Sequence, residues 1–294
     1  YNAVLREADT IMGHLEDTLK GGAYLNDRTL AEVLVNEAPD RMADLVRMGA
    51  VFDAEENCMI AQRPFGGQRF PRTCYAGDRT GHEIVMTLLE RLRASDVIIR
   101  NEITALELAT DGSRVCGAIT ATREGEIGAI AADAVVLATG GAGQIYDITT
   151  NSTAGTGDGY ALGYRAGAEL IDMEMVQFHP TGAVHPYDAR GRLITEAVRG
   201  EGGILKNVHG ERFMSRYDPE RMELSTRDVV ARSIATEVLE GRGTEKGGVW
   251  LDVTHLPPEE IERRLPSMLE QYLAFGVDIR KKPMEVAPTA HHMM

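Results

Sequence analysis

The sequence contains few cysteines and no Cys-x-x-Cys pair. Cys58, Cys74 and Cys116 lie far apart in a chain of 294 residues. A disulfide framework needs several paired cysteines, and zinc or iron–sulfur sites need closely spaced ligands. The pattern therefore argues against such sites in this stretch. It predicts reduced thiols in a cytoplasmic protein.

Basic residues and long apolar runs are also scarce. The chain has 31 Lys and Arg against 45 Asp and Glu, a formal net charge of -14. A nucleic-acid surface needs a basic face, so no nucleic-acid partner is expected, and an anionic substrate must meet a locally positive pocket. No run approaches the roughly 20 apolar residues that span a bilayer, and no signal-peptide pattern opens the chain. We therefore expect membrane association only through a partner.

The sequence lacks a Gly-x-Gly-x-x-Gly motif, but two other glycine-rich stretches are typical of a nucleotide-binding edge. In AVVLATGGAG, residues 134–143, a buried-type strand runs into glycines, where backbone can lie against a cofactor. A tight turn would explain this pattern equally well. Asp158 lies between two glycines at the start of a helical pattern, where it could accept hydrogen bonds from sugar or ribityl hydroxyls. The simpler reading is a helix N-cap.

Apolar periodicity predicts an α/β protein. The predicted helices span about 3–20, 28–48, 80–94, the segment after 159, 224–239 with Ser225 as its N-cap, and 258–275. The predicted strands span 97–100, 103–110, 115–123, 127–132, 133–138 and 249–253. An Asp-Gly turn at 111–112 joins the second and third of these strands, which favours a meander. Residues 51–79 have no clear period and are expected to form an ordered loop.

Residues 172–203 carry many polar groups in a glycine-rich region without a long helical or strand period, which is more typical of a site than of a scaffold. His179 alone would more often be structural. Glu196 and Arg199, three residues apart, can pair and pass protons between buried sites, although a structural ion pair has the same spacing.

Two further stretches are candidates for ligand contact. Arg227 opens a predicted helix, where its charge opposes the helix dipole and an anionic partner would explain it. A surface arginine is the commoner case. His291 and His292 are adjacent, and neighbouring side chains on an extended chain point to opposite sides. One of them facing a ligand is therefore expected, and no metal site is.

Together these residues resemble the flavoprotein subunits of succinate dehydrogenases and fumarate reductases. The shared motifs occur in the family's order over nearly the whole chain: RPFGGQ, AGDRTGH, ATGGAGQIY, TTN, TGDG, RAGA, DMEMVQFHPTG, TEAVRGEGG, GERFM, RDVVARSI, GRG and PTAHHMM. The short loop FGGQRFPRT resembles the thiol-dependent fumarate reductases of methanogenic archaea.

The resemblance implies FAD as cofactor and a four-carbon dicarboxylate, succinate or fumarate, as substrate. The implied FAD contacts are Ala138, Thr139, Gly140, Gly141 and Asp158. The implied substrate contacts are His179, Thr195, His291, Phe65, Gly66 and Gln68.

It also implies a proton path and a partner. Arg227 would transfer the proton at the substrate carbon, supplied through Glu196 and Arg199. Electrons would pass to or from an iron–sulfur subunit. The protein would then be cytoplasmic, or peripheral on the cytoplasmic membrane through partner subunits.

The implied fold is a two-dinucleotide-type FAD-binding domain with an inserted α+β capping domain. The FAD-binding domain would cover 1–172, the capping domain 173–286, and the return to the first domain 287–294. The family's Gly-x-Gly-x-x-Gly would precede Tyr1, and a further substrate-binding arginine would follow Met294. We therefore expect a chain truncated at both ends that is inactive alone.

Two alternatives remain open from the sequence. L-Aspartate oxidase shares the HPT, RGEG and RFM motifs, but GGQ at 66–68 stands where that enzyme is expected to have GGH. A non-catalytic flavin-fold subunit is the other alternative. The presence of His179, Thr195, Glu196, Arg227 and His291 together argues against it, because a decayed site would not be expected to keep all five.

Overall fold

The structure is a computed structural model that describes residues 1–65 and 67–293. Its helices are α1 (Ile11–Gly21), α2 (Arg28–Arg47), α3 (Thr80–Arg93), α4 (Asp158–Arg165), α5 (Glu196–Gly200), α6 (Met214–Tyr217), α7 (Arg227–Leu239), α8 (Pro258–Arg264) and α9 (Pro266–Ala274). Its strands are β1 (Gln62–Arg63), β2 (Thr73–Cys74), β3 (Ile103–Thr110), β4 (Val115–Thr122), β5 (Ile127–Ala131), β6 (Val176–His185), β7 (Ile204–Lys206), β8 (Val249–Asp252) and β9 (Met284–Met293). Short 3-10 turns occur at Gly143–Ile145, Tyr187–Ala189 and Met222–Leu224.

Contacts divide the chain into two compact units. Unit 1 comprises Tyr1–Ser95 and Pro180–Pro288, and unit 2 comprises Asp96–His179 and the residues from Thr289 onward. Strands β6 and β9 each contribute residues to both units. The domain limits at 172 and 286, which the family resemblance implies, differ from the borders of these units, and they stay a prediction.

The larger core of unit 1 forms around β7, β8 and β9, which pair antiparallel to one another within a four-stranded sheet. β8 pairs with β7 on one side and β9 on the other, and β6 completes the order β6-β9-β8-β7. Ile234 of α7 and Leu251 of β8 are fully buried in this core, together with Ile194 and Leu205. Burial of such side chains stabilises the fold by roughly 1.5–3 kcal/mol each. The segment containing the predicted proton path is therefore anchored in a well-packed core.

A second core in unit 1 joins the chain start to α2 and the β1–β2 pair. Ala3, Met42 and Cys74 are buried in it. Beside it, the Arg72 guanidinium is 1% exposed and contacts the carboxylates of Asp9 and Asp17, each at 2.7 Å. A buried charge needs such pairing, so this arginine fixes the 60–74 loop against the residues around α1.

In unit 2, β3, β4 and β5 form the predicted antiparallel meander. The turn between β3 and β4 contains Gly112, whose φ of +98° favours glycine. The three strand predictions and the Asp-Gly turn are confirmed.

Two of the predicted strands do not form. Residues 97–100 and 133–138 are not strands, and Val136 is 87% exposed. A buried parallel strand exists only when neighbouring strands supply its hydrogen bonds, and nothing among residues 1–65 and 67–293 pairs with 133–138. Conversely, the ten-residue strand β6 lies in the stretch expected to be irregular.

The helix predictions for α2 and α3 are confirmed within two residues, and three others need correction. The first helix begins at Ile11 rather than near Ala3, because Ala3 N–H donates to Arg72 C=O. The helix expected at 258–275 is two helices, broken at Leu265 because Pro266 cannot continue the first one. The N-cap of α7 is Thr226 instead of Ser225.

Candidate functional site

The residues of the predicted proton path lie on two helices of unit 1. Glu196 and Arg199 are on α5, where a three-residue spacing places them on one face. Arg227 is the first residue of α7. Glu196 Oε2 accepts a hydrogen bond from Arg227 Nε at 3.0 Å and lies 3.6 Å from Arg199 Nη2. One carboxylate thus contacts two guanidinium groups, and the three side chains together carry a positive charge.

The glycines after Arg199 end α5 and turn the chain toward β7. Gly202 has a φ of +105°, a left-handed conformation that favours glycine. Gly203 N–H donates to Val198 C=O at 2.8 Å, and a Cβ at Gly203 would lie 2.7 Å from that oxygen. The glycines of the RGEGG motif therefore have a structural role, because they end the one-turn helix on which Glu196 and Arg199 lie.

Arg199 is the most enclosed of these groups. Its side chain is 0% exposed, whereas that of Arg227 is 29% exposed. Arg199 Nη1 donates to Glu223 C=O, while Nε and Nη2 have no hydrogen-bond acceptor among the described residues. Burial lowers the pKa of Arg199, and the Glu196 carboxylate acts in the opposite direction. A buried guanidinium with a lowered pKa gives up a proton more readily than one in water.

A cavity of about 340 Å³ in unit 1 adjoins this pair. Its lining includes Thr195, Glu196, Phe65, Arg63 and Asp78. Thr195 Oγ1 is buried without a hydrogen-bond partner among the described residues, so it can donate to or accept from a bound group. Two of the predicted substrate contacts, Thr195 and Phe65, therefore lie on the same cavity as Glu196.

The loop that follows Phe65 is placed in part. Gln68 Nε2 donates to Thr73 Oγ1 at 3.1 Å, and Thr73 lines the cavity. Gly66, another predicted contact, lies outside the described residues. Arg63 was given no role by the sequence although it opens the RPFGGQ motif. Its guanidinium lies 4.4 Å from the Tyr75 ring centroid, and its buried Nε has no hydrogen-bond acceptor in the described part of the chain.

In unit 2, the structure brings His179 and His291 together. Their ring centroids are 4.9 Å apart with planes at 62°, and His179 is 1% exposed. Thr150 Oγ1 lies 2.6 Å from His291 Nδ1. The two histidines are 112 positions apart, so their approach was expected only from the family resemblance. Thr150 was missed, because the TTN motif carried no chemical role.

The predicted FAD contacts also lie in unit 2. Ala138, Thr139 and Gly140 are exposed, and Gly140 has a φ of +73°. A Cβ at Gly159 would lie 1.8 Å from Thr139 Oγ1, so the ATGG and TGDG stretches pack closely only because position 159 is glycine. Asp158 is exposed and accepts a hydrogen bond from Thr156 Oγ1 at 2.6 Å. Exposed residues next to a carboxylate are the kind of surface that FAD binding requires, so this part of unit 2 is suited to the cofactor.

Among residues 1–65 and 67–293, no group of three or more His, Cys, Asp or Glu side chains is arranged to hold a metal ion. None of the helices there has the length and hydropathy required to cross a bilayer.

Comparison with known proteins gives consistent matches. The sequence profile described as "FAD binding domain" matches residues 1–294. A fumarate reductase (CoM/CoB) subunit from Methanothermobacter marburgensis is 56% identical over 96% of this chain and 51% of its own length. The succinate dehydrogenase flavoprotein subunit of Rickettsia bellii is 42% identical over 98% of this chain and 50% of its own length.

Solved structures agree with the sequence matches. A variant of FrdA from the E. coli quinol fumarate reductase has a TM-score of 0.93 and 36% identity, covering 99% of this chain and 52% of that one. The α/β flavoprotein fold expected from the sequence is therefore confirmed, as is the resemblance to fumarate reductase and succinate dehydrogenase flavoproteins. The chain spans about half the length of the curated relatives it matches.

Proposed function

Because this chain belongs to the FAD-binding domain family, we propose that it acts in the FAD-dependent interconversion of fumarate and succinate. The observation that carries the proposal is the buried contact of Glu196 with both Arg199 and Arg227. A carboxylate shared by two arginines is a costly arrangement for stability alone, because each buried charge loses its hydration. As a path for protons beside the cavity that Thr195 and Phe65 line, it has a chemical reason.

The substrate would be held by hydrogen-bond donors and positive charge. Thr195 Oγ1 offers a buried hydroxyl on the cavity of unit 1. The contacts proposed within unit 2 are His179 and His291, whose rings lie against each other. Donors fixed in advance can meet the charge that develops on a carboxylate when the double bond is reduced. The excess of guanidinium over carboxylate at Glu196 supplies the locally positive region that an acidic protein needs for an anionic substrate.

The proton would move through Arg227. An arginine is a weak acid, since its pKa ordinarily lies above ~12, and it can serve only if a neighbour replaces its proton at once. Glu196, 3.0 Å from Arg227 Nε, can do so in one hydrogen-bonded step. Arg199 would then return a proton to Glu196, helped by the lowered pKa that burial gives it.

FAD would be held by the backbone of residues 138–141 and by the Asp158 carboxylate. The chemistry that FAD supplies when bound is hydride exchange at its N5 with one carbon of the dicarboxylate, while a proton moves at the neighbouring carbon. The residues described above then bind the substrate, orient it and supply that proton.

The proposal is tested by the protein expressed from its complete gene and loaded with FAD. Fumarate reduction is measured with a reduced viologen dye, for the wild type and for Arg227→Lys. Loss of the proton donor should lower turnover by roughly 10²- to 10⁴-fold while the bound FAD, read from its absorbance, stays unchanged. The matched control is Arg232→Lys, since Arg232 lies on the same helix, is exposed and pairs with Asp228.

Normal turnover in Arg227→Lys would contradict the role of Arg227. A wild-type protein that oxidises L-aspartate and does not interconvert fumarate and succinate would contradict the substrate. A wild-type protein that binds FAD and acts on neither substrate would favour the non-catalytic alternative.

We extend the proposal to the electron partner, which would be an iron–sulfur subunit, and to a cytoplasmic location, peripheral on the membrane through that partner. The names of the relatives describe them as subunits, which supports a multi-subunit enzyme. Purification of the tagged protein from its own cells should yield a second subunit whose iron–sulfur signal, seen by electron paramagnetic resonance, responds to succinate. A flavoprotein that purifies alone with full viologen-linked and physiological activity would contradict this part.

A further inference from the structure

Residues 149–151 hold the end of β9 by several hydrogen bonds within unit 2. Thr150 N–H and Thr149 Oγ1 both donate to Ala290 C=O, at 3.0 and 2.9 Å. The Asn151 side-chain amide donates to His291 C=O. The backbone around His291 is therefore fixed without help from the Thr150 side chain.

The Thr150 hydroxyl instead contacts the imidazole ring itself. Its Oγ1 lies 2.6 Å from His291 Nδ1, and this is the one hydrogen bond that the hydroxyl makes with the described residues. A hydroxyl hydrogen in a partly buried site needs an acceptor, and an unprotonated Nδ1 provides it. Donation to Nδ1 places the ring proton of a neutral His291 on Nε2.

We propose that Thr150 is a positioning residue that sets the tautomer and orientation of His291, so that Nε2–H serves as a hydrogen-bond donor to a substrate carboxylate. This inference rests on the proposed function for the identity of the ligand. With the opposite tautomer, Nε2 would present a lone pair and repel a carboxylate. The hydroxyl thus decides whether the ring attracts or rejects the substrate.

The neighbouring ring makes orientation matter. His179 is buried and lies edge-on to His291 at a centroid distance of 4.9 Å. Rotation of the His291 ring about its own bonds would break the contact with Thr150 and change the packing against His179. A fixed orientation keeps the two rings in one arrangement, which lowers the cost of binding.

Three variants separate positioning from general stability. Thr150→Val keeps the shape and loses the hydroxyl, and Thr150→Ser restores the hydroxyl. Thr149→Val is the comparison variant, because the two hydrogen bonds that it loses, to Ala290 C=O and from Asn151 N–H, involve backbone rather than the ring. The KM for fumarate should rise roughly tenfold or more in Thr150→Val, as expected for a weakened hydrogen bond to a charged group. kcat should change much less, Thr150→Ser should keep the wild-type KM, and Thr149→Val should raise KM less than Thr150→Val does.

A second readout does not depend on turnover. Nitrogen-15 resonances of the histidine rings report which nitrogen carries the proton, and His291→Gln assigns the signal among the eight histidines. In the wild type Nε2 should be protonated and Nδ1 unprotonated, and Thr150→Val should show a mixture of tautomers. An unchanged tautomer together with an unchanged KM in Thr150→Val would overturn the inference. If the wild type shows no fumarate reduction, the proposed function fails, while the resonances still decide the role of Thr150.

Discussion

At the scale of single residues, the Thr195 hydroxyl has no hydrogen-bond partner within residues 1–65 and 67–293. Thr195 occupies the N-cap position of α5 but makes no capping hydrogen bond, and its Oγ1 is buried. A buried polar atom without a partner costs about 1–3 kcal/mol, and a ligand that pairs with it recovers that cost. Under the proposed function, a substrate that pairs with Thr195 Oγ1 would recover that cost, so the hydroxyl would favour the bound state over the empty one.

We predict that Thr195→Val separates binding from stability. Since no hydrogen bond is lost, the melting temperature should stay the same or rise. The KM for fumarate should rise roughly tenfold, because a hydrogen bond to a charged carboxylate is worth about 1.5–3 kcal/mol. Thr195→Ser keeps the hydroxyl and should behave as the wild type in both calorimetry and kinetics. A fall in stability with an unchanged KM would assign Thr195 a purely structural role.

The residue scale also shows what the sequence could supply. Glu196 and Arg199 were paired correctly from their spacing, because a helix turns a three-residue separation into contact. The contact from Glu196 to Arg227 spans 31 residues, and only the family resemblance suggested it. Arg63 and Thr150 were missed because an unsatisfied buried atom, or a hydroxyl aimed at a ring nitrogen, is visible only once distant segments are folded together.

At the scale of elements, α9 is capped from a distant part of the chain. Asp78 accepts hydrogen bonds from Ser267 N–H at 3.0 Å and Met268 N–H at 3.3 Å, and from Ser267 Oγ at 2.6 Å. These N–H groups have no partner inside the helix, so the carboxylate replaces a local N-cap. The same Asp78 lines the cavity beside Glu196.

We predict that Asp78→Ala lowers the free energy of unfolding by about 1–2 kcal/mol, the usual cost of a lost cap. Chemical denaturation measures the change. Glu270→Ala is the control, since Glu270 is an exposed residue of the same helix and should change stability by less than about 0.5 kcal/mol. Equal stabilities for the two variants would show that Asp78 does not cap α9.

The end of α7 is held by a buried carboxylate. Glu237 is 0% exposed and accepts hydrogen bonds from Arg242, Asn207, Tyr217 and Arg216. Burial alone would raise the pKa of Glu237, but these hydrogen bonds and charges lower it to about 2. The helix is thereby tied to the segments on either side of it.

This network predicts a pH-dependent stability. The pKa of Glu237 lies below its ordinary value of 4.5, so its contribution is complete above pH 4.5 and is lost as the pH falls toward 2. At pH 7, Glu237→Gln should lower the free energy of unfolding by about 3 kcal/mol, because the arginines lose their buried partner. The difference from the wild type should shrink as the pH falls through this window.

Denaturant titrations at several pH values measure the effect. Glu240→Gln is the control, since Glu240 also contacts Arg242 but is 54% exposed. It should change stability by less than about 1 kcal/mol at any pH. A gap between Glu237→Gln and the wild type that stays constant from pH 7 to pH 2.5 would contradict the role of the carboxylate.

The sequence predicted the elements whose hydrogen bonds join residues close in the chain, and it failed for an element that needs distant partners. Helices α2 and α3 and the meander β3–β5 depend on bonds between nearby residues, so periodicity and the Asp-Gly turn were enough. The strand expected at 133–138 depends on partners far away in sequence, and its apolar pattern could not supply them. The break between α8 and α9 was visible in Pro266, and the prediction failed by reading the apolar spacing through it.

At the scale of the whole molecule, buried apolar surface is unevenly distributed. The largest cluster of buried side chains belongs to unit 1, around α7 and β7–β9. In unit 2, β5 is exposed along its whole length. Local opening is easier where few apolar groups are buried. The backbone amides of the sheets that contain β8 and β5 should therefore differ in protection from hydrogen exchange, although both sheets are hydrogen-bonded.

We predict that backbone amides of β8 exchange with deuterium much more slowly than those of β5. Hydrogen exchange read by mass spectrometry on this chain measures the order directly. Peptides from the exposed loop at 55–59 provide the fast-exchanging reference. Equal protection of β5 and β8 would show that stability does not follow the distribution of buried apolar groups.

The path of the chain through its two units has a consequence for recombination between relatives. Unit 2 ends at His179 and resumes at Thr289, and both junctions fall inside strands, β6 and β9. In a chimera that joins two parents at these junctions, each of the two strands would take one half from each parent. Crossovers near residues 175 and 283 would let each strand be inherited whole from one parent. Homologous exchange of the histidine-bearing segments should therefore succeed more often at strand ends than at the borders of the compact units.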